Sequence, residues 1–428
     1  MRKKYRALKR QEAIKRERLN KMLQDKEDFS HDKTFTYQHF VKSANKSQQG
    51  VGWKSSAQIQ RMFNVVRLLQ AKRSIGERKL PPHVSGKTQI HYERGKAREI
   101  TPIHIKNRID QKVLCDNCLS KILPKYLIYD NGASLEGKGV EFSRERMMHH
   151  LVNTIKEFGT DFYILSFDFK DYFNSIPHTT CRRMLEKYIL DKDIVDITMD
   201  AIKAPYRERI KEIKDKEERK HQLELLNNDE LKGICLGSQV SQIMALIVAN
   251  DLDHYIKDIK RCKYYIRYMD DGTILVKTKE EAKELLEGIK TVVNKLGLEL
   301  SEKKTHITKA TKGFTFLKVR YFVCKGSSKI HRKLTRKGIT RMRRKMKKFR
   351  TKVDNDEMTL DDVYSSVQSW VEHLEVADSY KTRKEMMKLY DKLFGGYKIT
   401  RKWKREHGGN DVLQIDKWAK YRWCCNAI

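Results

Sequence analysis

No apolar run in this 428-residue chain approaches the 18 residues that a membrane-spanning helix needs, so no membrane span is expected. The first residues, Met1-Arg2-Lys3-Lys4-Tyr5, lack the apolar core of a secretory signal, which predicts an intracellular, cytoplasmic protein. Cysteine is sparse, and eight residues in so long a chain do not suggest a disulfide-built scaffold. Cys115 and Cys118 have zinc-type spacing, but a second spaced pair is missing, because Cys424 and Cys425 are adjacent. Ile109, Val113 and Leu114 before that pair, with Leu119, Ile122 and Leu123 after it, read instead as a buried helix. Acidic residues are in deficit: 91 Lys and Arg stand against 56 Asp and Glu, a formal charge of +35. That balance predicts a polyanionic partner, most simply nucleic acid. A hydrophobic content of 39% still supports a core, and the length allows two or three domains.

Two short stretches hold the candidate chemistry. Tyr264 to Val276 reads as a β-hairpin, with aromatic and β-branched residues around a tight turn and Asp271-Gly272 as the turn signal. Asp270 and Asp271 then stand together at the tip. Like charges that close repel unless a cation is shared, and hard oxygen ligands favour Mg²⁺. Taken alone, Asp-Asp-Gly is equally an ordinary solvated turn. Phe162 to Phe169 reads as a mostly buried strand with Asp168 near its end. A buried carboxylate needs a partner or a metal, although Asp168 could also cap a following helix. Two-metal nucleotidyl transfer uses carboxylates from separate strands, with the ions about 3.5–4 Å apart. Asp168, Asp270 and Asp271 supply such a set.

Three segments in order carry a family resemblance. Asp168-Phe169-Lys170-Asp171-Tyr172-Phe173, Leu236-Gly237-Ser238-Gln239-Val240-Ser241-Gln242 and Tyr268-Met269-Asp270-Asp271 are similar to the first, second and third palm motifs of reverse transcriptases. The similarity runs from about Lys96 to about Leu374 and looks like the prokaryotic, group II intron-like enzymes. It implies an α+β right-hand polymerase: fingers, a palm of antiparallel sheet packed on helices, and a helical thumb. On that reading residues 1–85 are a basic helical extension and 86–160 the fingers. Residues 161–328 are the palm, with a helical insertion at about 181–230, and 329–428 the basic thumb and tail.

The resemblance also implies a site. Asp168 and Asp270 would hold two Mg²⁺ ions, supplemented by Asp271 and the Phe169 carbonyl. One ion would lower the pKa of a primer 3′-hydroxyl while the other neutralises the pyrophosphate side. Phe173 stands where the family places the sugar gate that rejects a 2′-hydroxyl, though it could be a plain core aromatic. Arg98, Lys138, Leu236, Gly237, Gln242 and Lys304 fall at dNTP-binding positions, Lys304 as proton donor to the leaving pyrophosphate. Leu135 stands where the family often has an arginine. Tyr268, Met269, Phe316 and Leu317 match nucleic-acid contacts, the last two in a segment, Gly313 to Lys318, that resembles the primer-gripping hairpin; Lys318 replaces a usual glycine. Arg336, Arg341, Arg343, Arg344, Lys345 and Lys348 belong to an acid-free basic stretch from Leu334 to Lys352 that could track a phosphate backbone. Ser369 to Leu374 resembles the thumb motif of group II intron-like enzymes.

The remaining chain supplies elements rather than chemistry. Ala57 to Leu69 places Ile59, Met62, Phe63, Val66 and Leu69 at helical spacing, and Pro81-Pro82 marks a boundary. Glu93 to Ile100 reads as a hairpin, 129–139 as a glycine-rich loop, and Cys181 to Glu230 as charged helix. Ser238 is a plausible cap for an apolar helix running to Asp251, and Lys279 to Lys295 has helical periodicity. Trp403, Trp418 and Trp423 in the basic tail could stack bases or dock on the thumb. The expected partners are an RNA template, nascent cDNA and dNTPs, with a cognate structured RNA or an accessory protein. Leu236-Gly237…Ser241-Gln242 departs from the common Gln-Gly…Ser-Pro and resembles the enzymes of diversity-generating retroelements, whose base selection is relaxed. A phage-defence reverse transcriptase using a non-coding RNA is the alternative, and no endonuclease or maturase zinc domain is seen after the thumb. An RNA chaperone or maturase with a retired palm is the reading from another class, and intact Asp168, Asp270 and Asp271 argue against it.

Overall fold

The computed structural model describes residues 19–66, 89–93 and 96–398, with positions 13, 16, 17, 69, 76 and 77. The Pro81-Pro82 boundary, the Arg94-Gly95 turn, Cys424-Cys425 and the tail with Trp403, Trp418 and Trp423 lie outside the described residues, as do residues 1–12. The chain divides into two compact units, Met1–Ala310 and Thr311–Ile428. Among the described residues no helix is long and apolar enough to cross a membrane.

In the first unit a helical stretch at 19–28 and a short helical turn, His31–Thr34, precede helix α1 (Tyr37–Gln48), whose N-terminus is capped by the Thr36 side chain and which buries Phe40 and Ala44. Helix α2 (Ser55–Met62) follows, burying Ala57 and Gln60. The apolar stripe read there does not form a core. Ile59, Met62, Phe63, Val66 and Leu69 are all exposed, Met62 at 79%. Spacing reveals an amphipathic face but not whether anything covers it. Strands β1 (Gln89–Glu93) and β2 (Lys96–Ile100) pair antiparallel. Helix α3 (Ile105–Leu114) continues into a π-helical turn, Cys115–Leu119, where Cys115 and Cys118 face the core.

Helix α4 (Val140–Phe158) leads into β3 (Tyr163–Asp168), and helices α5 (His178–Tyr188), α6 (Lys192–Lys211) and α7 (Lys216–Asn227) follow. Helix α8 (Gln239–Val248) is almost wholly apolar, and its Ser238 cap accepts from the Ser241 N–H at 3.3 Å. It ends at Ala249, before Asp251, and a short helix α9 (Asn250–His254) takes over. Strands β4 (Tyr265–Tyr268) and β5 (Asp271–Val276) form the next hairpin. Helix α10 (Lys279–Lys295) buries Ala282, Leu285, Ile289 and Val293, one stripe of an otherwise charged helix. Strand β6 (His306–Lys309) closes a four-stranded antiparallel sheet of order β4-β5-β3-β6. The outer edge of β4 is met by a loop: the Arg267 N–H donates to the Asp130 carbonyl and the Gly132 N–H to the Arg267 carbonyl, both at 3.1 Å.

The second unit opens with a meander of β7 (Phe314–Phe316), β8 (Val319–Val323) and β9 (Ile330–Leu334). Its first turn, Leu317-Lys318, has positive φ at both residues, 44° and 70°, the geometry that normally favours Asn-Gly. Helices α11 (Arg336–Asp354), α12 (Leu360–His373) and α13 (Tyr380–Phe394) then pack around Met346, Val363, Val367, Met386 and Tyr390. A capping box between Thr359 and Asp362 starts α12.

The β4–β5 turn corrects the expectation that Asp271-Gly272 would form it. Tyr268 pairs with Asp271, so the turn is Met269-Asp270, and Met269 takes φ 54°. Gly272 serves packing instead. It lies opposite Phe167 on β3, and a Cβ at this position would fall inside the Phe167 ring. Gly272→Ala should therefore destabilise the first unit by about 1–3 kcal/mol, the usual range for an overpacked core. Urea unfolding measures it, and adding Phe167→Leu should recover part of the loss. No recovery would place the clash elsewhere.

Candidate active site

The sheet register creates the cluster. Asp168 ends β3 and pairs directly with Asp271 at the start of β5, so both side chains share a face. Asp270 sits beside them in the turn, and the Phe169 N–H donates to its carbonyl at 3.4 Å. Aromatic packing fixes the strand end: Phe169 stacks on Tyr172 with ring centroids 4.7 Å apart, and Phe167 stacks on Tyr265 at 6.3 Å. The Tyr172 hydroxyl donates to the Ala245 carbonyl at 2.6 Å, anchoring the segment to α8. On the other side of β3, Ser301 donates from its N–H to the Asp168 carbonyl at 2.7 Å and Phe169 bridges to Leu300. Those bonds deliver Lys304, whose Nζ lies 2.6 and 2.7 Å from the two carboxylate oxygens of Asp168.

Crowding shows in the proton affinities. Burial, then a hydrogen bond with Asp168 and the charges of Asp270 and Asp168, push Asp271 up to about 7. Burial and the Asp168 charge raise Asp270, against which Lys304 and Arg98 pull it down. Burial works against the charge of Lys304, but the bond to Asp168 and the three carboxylate charges outweigh it, so Lys304 sits above the ordinary lysine range.

The expected nucleotide-side residues separate into two groups. Arg98 and Ile100 share one face of β2. Arg98 is exposed with its charge reaching Asp270, and Ile100 makes a parallel bridge to Leu236. Gly237, at φ 106°, packs against Ile100 and Thr101. Phe173 is half-buried next to Tyr172, and its carbonyl accepts from the Ile234 N–H at 2.8 Å, which joins it to the same segment. Gln242 is exposed on the first turn of α8. Lys138 turns elsewhere. Its ammonium donates to the carbonyls of Tyr129 at 2.6 Å and Asn131 at 3.2 Å and lies over the Tyr129 and Phe142 rings. It closes its own loop, and burial lowers its pKa.

Tyr268 and Met269 are half-buried on the hairpin that bears the carboxylates. In the second unit Phe316, one of the positions expected to meet nucleic acid, is buried, while Leu317 and Lys318 remain at the turn surface. A strand alternates its faces, so two neighbours cannot both point outward, and Phe316 takes the inner one. Arg336, Arg341, Arg343, Arg344, Lys345 and Lys348 are all exposed on α11. Two of them are also engaged locally, Arg343 with Glu385 at 2.9 Å and Lys345 with the Ser366 hydroxyl at 3.0 Å.

The donor set fits a divalent cation. Paired carboxylates with raised proton affinity attract positive charge, and the Lys304 ammonium already stands on Asp168 as a cation would. Among the described residues no three His, Cys, Asp or Glu side chains converge to hold one ion. Each ion would then take one or two of these carboxylates and fill its remaining positions with water and substrate phosphates, the habit of Mg²⁺. One group escaped the sequence reading. Arg267, Asp253 and Tyr265 form a fully buried network directly behind the turn. The signal was an arginine inside an otherwise apolar strand, which burial makes costly unless it is paired.

No curated protein sequence matches the chain. Among solved structures, telomerase from Candida albicans in complex with a TWJ fragment of telomeric RNA is similar at 12% identity, covering 77% of this chain and 62% of that one, with a TM-score of 0.41. Apo telomerase from Candida tropicalis truncated from its C-terminal domain gives 11% identity, 63% and 60% coverage and a TM-score of 0.39. A second apo structure from Candida tropicalis gives 14%, 61%, 52% and 0.36. The chain thus spans between 52% and 62% of those telomerase chains. The model of the family described as reverse transcriptase (RNA-dependent DNA polymerase) matches residues 95–321, from the β1–β2 hairpin through both carboxylate-bearing strands to β8. Covering more than half of the sequence and all three aspartates, that match shows that this α+β chain belongs to the reverse transcriptase family, with its right-hand polymerase fold.

Proposed function

We propose that the protein is an RNA-templated DNA polymerase that adds dNTPs to a primer 3′-hydroxyl by phosphoryl transfer. The observation that carries this reading is the pairing of Asp168 with Asp271 across β3 and β5, beside Asp270 and inside the family match. Asp168 and Asp270 would hold two Mg²⁺ ions, with Asp271 and the Phe169 carbonyl as further ligands. Such ions supply the charge that stabilises the attacking and leaving oxygens. Arg98 faces the same carboxylates and suits a triphosphate. Lys304 keeps its proton at neutral pH and, half-exposed, is a fitting donor to the leaving pyrophosphate. The basic face of α11 supports binding of an RNA template and cDNA. Asp168→Ala or Asp270→Ala should abolish primer extension while RNA affinity in a filter-binding assay stays near wild type. Extension that survives either change would end the assignment.

The raised pKa of Asp271 gives a pH dependence. Its folded value, about 7, exceeds the ordinary carboxylate value, so the folded state holds a proton that the unfolded state has lost. Stability is therefore fully present below the unfolded pKa and falls as pH rises through about 7. A divalent ion held by Asp271 would take the place of that proton. Added Mg²⁺ should raise the Tm more at pH 8 than at pH 6, and equal shifts would remove Asp271 from the ion site.

The biological role we assign is error-prone copying of a dedicated cognate RNA, as in a diversity-generating retroelement. It rests on Leu236 and Gln242. Leu236 bridges to Ile100, two residues from Arg98, and so lies between the nucleotide-side strand and α8. A leucine there offers no hydrogen bond toward the incoming nucleotide, and geometry checking loosens. Leu236→Gln should lower misinsertion by about tenfold, equivalent to about 1.4 kcal/mol, the size of one well-placed hydrogen bond. Single-nucleotide misinsertion opposite each RNA template base measures this. Equal frequencies would cut the link, and a faithful wild type would favour the defence role.

A further inference from the structure

Arg267 is 0% exposed, as is its partner Asp253. Its guanidinium reaches three separate places. Nε donates to both Asp253 oxygens at 2.8 and 3.0 Å, and Nη2 reaches Asp253 at 2.7 Å. Nη2 also donates to the Leu246 carbonyl at 2.8 Å, in the last turn of α8. Nη1 donates to the Met269 carbonyl at 3.0 Å. That last bond is the informative one. The Met269 carbonyl and the Asp270 N–H belong to one planar peptide. Met269 is held at φ 54°, a conformation that costs energy for a side-chain-bearing residue and persists only when its surroundings impose it. The two-residue turn set by the Tyr268–Asp271 pairing calls for that φ, and the planar fork of Arg267 braces the peptide that follows it; a point charge at the same place could not span all three acceptors.

We propose that Arg267 is a positioning residue for polymerisation: by clamping the Met269–Asp270 peptide to the end of α8 it aims the Asp270 carboxylate, with Asp253 as the counter-charge that keeps the guanidinium buried. Tyr265 completes the seat, its hydroxyl donating to Asp253 at 2.7 Å. The same clamp ties the turn to the last turn of α8, the helix whose opposite end is capped by Ser238 beside Leu236 and Gly237. This inference rests on the reading of Asp270 as a metal-holding catalytic group.

The test uses the full chain with Arg267→Lys, which keeps the charge and loses the fork, and the paired variant Arg267→Met with Asp253→Leu, which removes both buried charges at similar volume. Mn²⁺ binding without dNTP, followed by electron paramagnetic resonance, should weaken at least about tenfold in both, as ligand-orienting losses do. Primer extension should show kcat lower by on the order of a hundredfold, with KM for dNTP nearly unchanged, as expected from a misplacement of about 1 Å. Wild-type Mn²⁺ affinity and kcat in either folded variant would overturn the proposal. Failure of both variants to fold would assign the network to stability alone and overturn it as well. Asp270→Ala is the control: if it still polymerises, the underlying reading of the site fails, whereas an inactive Asp270→Ala beside normal Arg267 variants defeats only the clamp.

Discussion

Carboxylates forced to face one another repel, and the antiparallel register of β3 and β5 leaves Asp168 and Asp271 no alternative. The surroundings are arranged to hold that repulsion in place. Aromatic rings wedge the end of β3 from both sides, and backbone bonds from Ser301 and Leu300 fix its far edge. Cationic groups approach from three directions, Lys304 on Asp168, Arg98 toward Asp270 and Arg267 behind the turn. Lys304 and Arg98 lie far along the sequence from the charges they answer, and Arg267 is paired with Asp253 on another element, so the balance exists only in the folded chain.

Much of this was legible because the relevant signals are local. The apolar run before Asp168, the aromatic and β-branched flanks of Asp270 and Asp271, and the serine ahead of the apolar helix each dictate their element within a few residues. What could not be read depends on partners far along the chain. Gly272 looks like a turn residue, yet its lack of a side chain answers to Phe167, a packing demand invisible in its own neighbourhood. Lys138, whose loop composition suggests a phosphate ligand, also donates to the carbonyls of Tyr129 and Asn131 in that same loop, a local contact that composition does not announce. The stripe from Ile59 to Leu69 has the period of a core face, yet its apolar side chains are exposed and join no core among the described residues. Phe316 differs in kind: alternation along its strand sets its inward direction, which a motif position alone does not give.

The excess positive charge is not spread evenly in its consequences. On α11 the apolar stripe of Met342, Met346 and Phe349 turns inward, so the basic residues are left outward with little choice. Arg336, Arg341, Arg344 and Lys348 are exposed there without disturbing the packing of the second unit. Cations of this kind bind a polyanion through many weak, exchangeable contacts and favour rapid encounter. Around the sheet of the first unit the cations are directed: Lys304 onto the Asp168 oxygens, Arg267 onto those of Asp253, and Arg98 acting through its charge on Asp270. The same residue types thus stand outward on a helix face in one unit and are drawn toward carboxylates in the other.

The loop that meets β4 has an effect beyond its own hydrogen bonds. A sheet that ends in a bare strand is a template for strands from other molecules, and a growing chain in a crowded cell is exposed to that hazard before it is fully packed. At Arg267 both backbone groups on the outer edge are already satisfied by Asp130 and Gly132 of the same chain. Asp130 is in turn held by Arg146 and Lys257, with burial opposing its charge and those cations, with His150, pulling its pKa well below the usual carboxylate range. An intruding strand would have to dislodge that whole ion-paired assembly to register against β4. The hairpin that carries the chemistry is thereby shielded from aggregation by a few residues that take no part in the chemistry.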